Sequence, residues 1–192
     1  MTDSKPEATA GRRTQRADAR RNRERVLAAA REAFAAEGIS VPLDDIARRA
    51  GVGPGTVYRH FPTKEALFHA AILDNIERMT EAARSLTDAD DTGAAFFGFL
   101  DRIVAEGGVK RDLAEAIGDR ALEFSTPRKK FREELNVLFC RAQRDGAVRD
   151  DIDIDDFLRI LQGAFTAAHS AGLDAERRRR TFAVVFDGLR SR

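Results

Sequence analysis

The sequence predicts an all-α chain in which a compact three-helix unit at the N-terminus precedes a larger helical body. Three observations predict it. Apolar residues recur every three or four positions through most of the 192 residues. No stretch reads as a run of β-strands, apart from short ambiguous apolar segments. A glycine-centred break, Gly51-Val52-Gly53 followed by Pro54, separates two short helical segments. The expected division is a disordered basic arm over 1–17, the three-helix unit over 18–63 and the body over 64–192.

Composition supports a folded chain. At 43% hydrophobic and 34% charged, with 13 Phe and no Trp, it suits a soluble globular protein with a sizeable core and argues against disorder over most of its length. Cys140 is the sole cysteine, so an intrachain disulfide is excluded, and no N-terminal apolar stretch resembles a signal peptide or membrane span. A reducing, cytoplasmic setting without a membrane partner is expected. The net charge is only +1, but Met1 to Arg25 carries eight Lys and Arg against four Asp and Glu, Arg20 among them. A positive front end is therefore set against a balanced remainder.

Along the chain, order is expected to begin near Asp18, with Val26, Leu27, Ala30, Ala33 and Phe34 forming one helical face that Gly38 terminates. Pro42 suits the first turn of a second helix, where Asp44 and Asp45 favour the positive end of the dipole and Ile46, Ala47 and Ala50 face inward. Pro54 opens a short third helix that ends at Phe61-Pro62. Thr63 is the expected N-cap of a long fourth helix with a stripe through Ala66, Leu67, Ala70, Leu73, Ile76 and Met79, running to about Ser85.

Helical spacing continues in Phe96, Phe99, Leu100, Ile103 and Val104, and again in Leu113, Ala116, Ile117, Ala121 and Leu122, with Gly107-Gly108 between them. Ser125-Thr126-Pro127 opens a segment carrying Phe131, Leu135, Leu138, Phe139 and Ala142, which Asp145-Gly146 closes. The last two segments carry Phe157, Ile160, Leu161, Ala164, Phe165 and Ala168, then Phe182, Val185, Phe186 and Leu189.

Two short helices that cross steeply need a small residue at the crossing and a flexible one in the turn, the requirements of a helix-turn-helix. Ala47, Gly51 and Val57 meet them, with Val57 directed to the core so that its neighbours face outward. A helix start built from Gly53, Pro54, Gly55 and Thr56 keeps the backbone near base edges in the major groove of double-stranded DNA. Tyr58, His60 and Lys64 offer donors suited to phosphates, and Arg59 suits either task. Candidate DNA contacts are therefore Arg20, Gly55, Thr56, Tyr58, Arg59, His60 and Lys64.

Ile46-Ala47 through Ala50-Gly51-Val52, then Gly55-Thr56-Val57-Tyr58-Arg59-His60-Phe61 and Lys64-Glu65-Ala66-Leu67, resembles the signature of the TetR (tetracycline-repressor) family. Two positions depart from it. Pro42 stands where a Thr cap is usual, and Gly53 where a Ser is usual, so the third helix lacks a side-chain cap. The resemblance implies a bacterial repressor, a homodimer paired through its last two helices, and a small-molecule pocket in the body. Release from a palindromic operator by a small apolar or amphipathic ligand is the function it implies. Phe157, Leu161, Phe165, Phe182 and Phe186 are then the expected dimer contacts. Phe99, Ile103, Phe124, Phe139, Phe165 and His169 are the expected ligand contacts. A dimeric DNA-binding regulator with no effector is the alternative.

Other chemistries fare poorly. The glycines of the turn lack a preceding strand and a Gly-Lys-Ser/Thr ending, which argues against a phosphate loop. Asp151, Asp153 and Asp155 alternate as in a calcium loop, but Asp156 and Gln162 occupy positions needing Gly and Glu, so helix capping is expected. The histidines His60, His69 and His169 with Cys140 match no zinc spacing, and no catalytic constellation is apparent. No enzyme, metal or cofactor is expected. The Arg177 to Arg180 run is expected to be a solvated helix face.

Overall fold

A computed structural model describes residues 7–106 and 125–191. These hold eight helices: α1 (Glu7–Glu37), α2 (Leu43–Ala50), α3 (Pro54–His60), α4 (Lys64–Ser85), α5 (Thr92–Glu106), α6 (Ser125–Arg144), α7 (Ile154–Ser170) and α8 (Ala175–Leu189). Among the described residues the sole β-type pairing outside the helices is a bridge between Val148 and Arg190. The helix expected around Leu113 to Leu122, with the Gly107-Gly108 break and Phe124, lies outside the described residues.

The chain divides into two units, Met1–Ile72 and Leu73–Arg192. The sequence suggested a boundary at 63/64. It falls later because α4 gives its first turns to the N-terminal three-helix unit, called the reader from its expected role, where Leu67 and Ala71 are buried. α1 also differs from expectation. It begins at Glu7, not near Asp18, so residues 7–17 of the expected disordered arm are helical. Ala, Arg, Glu and Gln are good helix formers, and the stretch is helical by propensity without an apolar stripe for periodicity to detect.

The reader core joins Val26, Leu27, Ala30, Ala33 and Phe34 of α1 to Ile46, Ala47 and Ala50 of α2, with Val57 and Phe61 closing it. Gly51 ends α2 in the left-handed region, φ 62°, which an L side chain enters at a cost. Its N–H donates to the Arg48 carbonyl at 3.1 Å and that of Val52 to the Ala47 carbonyl at 3.0 Å. These are the paired bonds of a Schellman cap. Pro42 sits at the N-cap of α2, one position before the first turn expected for it, and supplies no side-chain bond. Thr63 caps α4 as expected, its Oγ1 accepting from the Ala66 N–H at 3.1 Å.

The body is held by phenylalanines. Phe96, Phe139 and Phe157 meet with ring centroids 5.7–5.8 Å apart, and Phe165 lies 4.4 Å from Phe182. Each is fully buried, which stabilises the fold by roughly 1.5–3 kcal/mol per ring relative to exposure. Asp153 caps α7, accepting from the N–H groups of Asp155 and Asp156 at 2.8 Å each, in a reciprocal box with Asp156. Of the alternating aspartates, Asp153 is the cap, Asp155 lies in the first turn of α7, and Asp151 pairs with Arg149. Asp174 caps α8 through the Arg177 N–H at 2.8 Å.

Candidate nucleic-acid interface and effector cavity

α3 begins without a side-chain cap, since Gly53 at the N-cap (φ −69°, ψ 147°) has none to offer. Its first turn therefore presents bare backbone N–H groups, whose positive end of the dipole favours a phosphate or a base acceptor. Val57 is wholly buried, which anchors the helix and turns the flanking residues outward. Tyr58 is 48% exposed, a large aromatic whose hydroxyl has no hydrogen-bond partner among the described residues. Arg59 and Gly55 are exposed and Thr56 is half-buried.

Gly55 is informative for what surrounds it. A Cβ added there would meet nothing within 4 Å, so no crowding inside the unit requires glycine at this position. The small residue leaves room on the outer face, where a groove would press against the backbone.

The remaining expected DNA contacts are less alike than the sequence suggested. Arg20 on α1 is 82% exposed, with Nε 3.1 Å from Glu24, a solvent-screened pair worth little. Lys64 is half-buried and donates from Nζ to the Ser40 carbonyl at 3.1 Å, so it also ties the start of α4 to the turn after α1. His60 is half-buried, its Nε2 enclosed and without a hydrogen-bond partner among the described residues, so that nitrogen faces inward. Two arginines not named as contacts brace the motif. Arg23 lies over the Phe61 ring, 5.6 Å from its centroid, and Arg25 donates to the Gly51 carbonyl at 3.0 Å. Only their place in the basic run marked them in the sequence.

The body contains a cavity of about 310 Å³, within the roughly 300–1,000 Å³ typical of small-molecule sites. Ile76 and Met79 of α4, Ile103 of α5, Phe131 and Leu135 of α6, and Leu161 of α7 form its apolar wall; Asn75, Gln162 and several charged groups add polar atoms. Of the expected ligand contacts, Ile103 lines it. Phe99 lies one ring behind the wall, 6.4 Å from Phe131, and Phe139 packs on Phe157 in the core. Phe165 and His169 border a separate hollow of about 220 Å³. Phe124 lies outside the described residues.

The expected dimer contacts need correction. Phe157, Leu161, Phe165, Phe182 and Phe186 are all buried within the single chain, with 4% exposure or less, and cannot be an open face for a partner. α7 and α8 carry a second set on their other sides, Ile160 at 46% and Val184 at 73% exposure, with Gly163, Ala167 and Gly188 also exposed. The larger apolar side chains were consumed by the chain's own core. Among the described residues no group of His, Cys, Asp and Glu could hold a metal ion.

A buried Val57 beneath an exposed, uncapped α3, joined to α2 through a left-handed glycine and followed by an all-helical body, defines a helix-turn-helix DNA-binding protein. Residues 26–71 match the family described as bacterial regulatory proteins, tetR family, and residues 91–191 match the C-terminal domain of SbtR-like transcriptional regulators. The transcriptional regulator SrpR of Pseudomonas putida is 44% identical over 172 residues, 82% of this chain and 78% of that one. The regulator UidR of Escherichia coli is 44% identical over 62 residues, so the chain spans only 32% of that relative's length. Among solved structures, a TetR regulatory protein from Mycobacterium vanbaalenii superposes with TM-score 0.66 at 40% identity, covering 92% of this chain and 99% of that one. A gamma-butyrolactone receptor superposes at 0.58 with 26% identity, covering 90% of each. The chain belongs to the TetR family and is a DNA-binding transcriptional regulator.

Proposed function

We propose that this regulator is a homodimeric repressor that occupies a palindromic operator and is released from it when a small molecule enters the body cavity. The observation that carries the reading is the cavity itself. Protein interiors pack with few voids larger than a water molecule, and each void forgoes dispersion contacts. An apolar-walled, part-open pocket of about 310 Å³ beside the phenylalanine-rich core leaves such contacts unmade, a feature that a body serving dimerisation alone would not need. The alternative, a dimeric regulator without an effector, calls for a filled body.

The relative described as a gamma-butyrolactone receptor takes a small molecule by its own description, which supports the same reading. A route for coupling exists in α4, which supplies Leu67 and Ala71 to the reader core and Asn75, Ile76 and Met79 to the cavity wall. A ligand that shifts this helix alters the spacing of the two recognition helices in a dimer. In the reader, Gly55 and Thr56 approach base edges, and Tyr58, Arg59, Arg20 and a remaining Lys64 N–H take phosphates. Pairing between copies falls to the exposed stripes of α7 and α8 around Ile160 and Val184. No described helix is long and apolar enough to cross a membrane, in keeping with action on the nucleoid in the cytoplasm.

Selection of bound duplexes from a random pool tests this directly. Two inverted half-sites about one helical turn apart are expected. Single half-sites, or duplexes that no small molecule displaces, would overturn the dimer or the effector respectively.

A further inference from the structure

We infer that the body cavity takes an uncharged molecule, an apolar frame carrying a hydroxyl or carbonyl group that the side-chain amides of Asn75 and Gln162 engage; this rests on the reading of the body as a ligand sensor. The wall is apolar over most of its area, so burial selects the frame. The head group is selected by the polar atoms that have no partner within the protein.

The charged groups of the wall are already engaged. Arg132 donates to Asp155 at 2.7 Å, and Arg159 to Asp156 at 3.0 Å. Arg128 has a partner of its own. An anionic guest would have to draw a guanidinium out of an existing contact, and a cationic guest would meet three of them against the single lining carboxylate of Asp155. Burial also pushes the Arg128 guanidinium below the usual arginine range, the mark of surroundings that penalise a charge. An uncharged guest leaves these contacts intact and brings no ion to desolvate.

The two amides stand apart from that network. Asn75 on α4 and Gln162 on α7 line the cavity, are half-buried, and make no side-chain hydrogen bond to any described residue. Asp155, Leu158, Arg159 and Gln162 follow at i, i+3, i+4 and i+7 and so share one face of α7, with Gln162 two turns, about 10 Å, beyond the carboxylate that Arg132 holds. Each amide offers two N–H donors and one carbonyl acceptor without net charge, so it donates to a carbonyl and either donates to or accepts from a hydroxyl. A guest that displaces water from such groups without replacing its hydrogen bonds gives up affinity, which favours a hydroxyl or carbonyl over a bare hydrocarbon.

Calorimetry on the full-length protein with benzyl alcohol, acetophenone, toluene, benzoate and benzylamine, one phenyl ring under five head groups, tests the assignment. Benzyl alcohol and acetophenone should bind about tenfold more tightly than benzoate or benzylamine. Gln162→Met and Asn75→Leu nearly keep the side-chain size and remove the amide. Each should weaken benzyl alcohol and acetophenone about fivefold, the worth of one hydrogen bond, while toluene stays within about twofold. The wild-type ordering remains a test even if the variants melt early. Benzoate or benzylamine binding as tightly as the alcohol, no binding by any of the five, or a variant that keeps its full affinity for the alcohol or loses toluene equally would overturn the assignment. The same compounds added to a protein–duplex complex separate the two readings. Binding in the expected order without release of DNA sinks the sensor reading and leaves the uncharged site standing; release by benzoate alone keeps the sensor and overturns the uncharged site.

Discussion

The Arg25 guanidinium donates from Nη2 to the Gly51 carbonyl at 3.0 Å, fastening the first helix to the turn that precedes the recognition helix. The same nitrogen occupies the space that a Cβ on Gly51 would enter, at a residue whose φ of 62° already disfavours an L side chain. Gly51→Ala should therefore destabilise the reader by about 1–2 kcal/mol, combining left-handed strain with loss of the tie. Circular dichroism during urea unfolding measures it, and an unchanged midpoint would show that the turn has another way to relax.

Gly55→Ala should separate stability from binding. A methyl group there has open space, and alanine gains up to about 1 kcal/mol of helix propensity, so the melting temperature should hold or rise. Affinity for the operator should fall, because the methyl stands between backbone and groove. Fluorescence anisotropy that finds equal affinity would remove Gly55 from the contact surface.

Tyr58→Phe should weaken all duplexes about equally, by ~1 kcal/mol, whereas Thr56→Ala should change which duplex is preferred. Lys64→Ala should do more than weaken binding, since Nζ also donates to the Ser40 carbonyl and the start of α4 loosens with it. A titration across salt concentrations discriminates the roles: the slope for the Lys64 variant should drop by about one counterion if it meets a phosphate.

Val184→Asp should yield folded monomers with poor operator binding, because this side chain is 73% exposed in the single chain. Leu161→Asp should instead destabilise the body by about 3 kcal/mol or more, its side chain being buried in the core and at the cavity wall. Light scattering and thermal melts of the two variants should give opposite patterns. A stable Leu161→Asp monomer would restore that face to the interface.

The Asp174 carboxyl is held below the usual carboxylate range, first by the Arg177 N–H that it accepts and then by the charges of Arg177 and Arg180. A depressed folded value means that the capping contribution is present above the unfolded value near ~3.9 and lost as pH falls through the lowered one. Asp174→Ala should lower stability at neutral pH and flatten the acid limb of the melting curve. A parallel displacement of the whole curve would show that the cap acts without its charge.

The reader unit was legible from residues 18 to 70 because its signals are local. Gly51 marks a left-handed cap, Pro54 opens a helix, and Thr63 supplies an oxygen three residues before the N–H it satisfies. The helical start at Glu7 escaped notice because residues 7–17 have no apolar stripe to repeat. The body was legible only as helices.

By itself, then, the sequence determined that the chain is of the all-α class and carries a helix-turn-helix ending in α3, since caps, turns and a buried Val57 depend on neighbours a few residues away. Tertiary structure alone decided which side of α7 and α8 is outward and where the body leaves a cavity. α7 is apolar on two sides, Phe157, Leu161 and Phe165 against Ile160, Gly163 and Ala167, and a period of 3.6 cannot choose between them. Packing chose the bulky set for the core. The cavity draws its wall from residues 75 to 162 on four helices, a juxtaposition that no local pattern encodes.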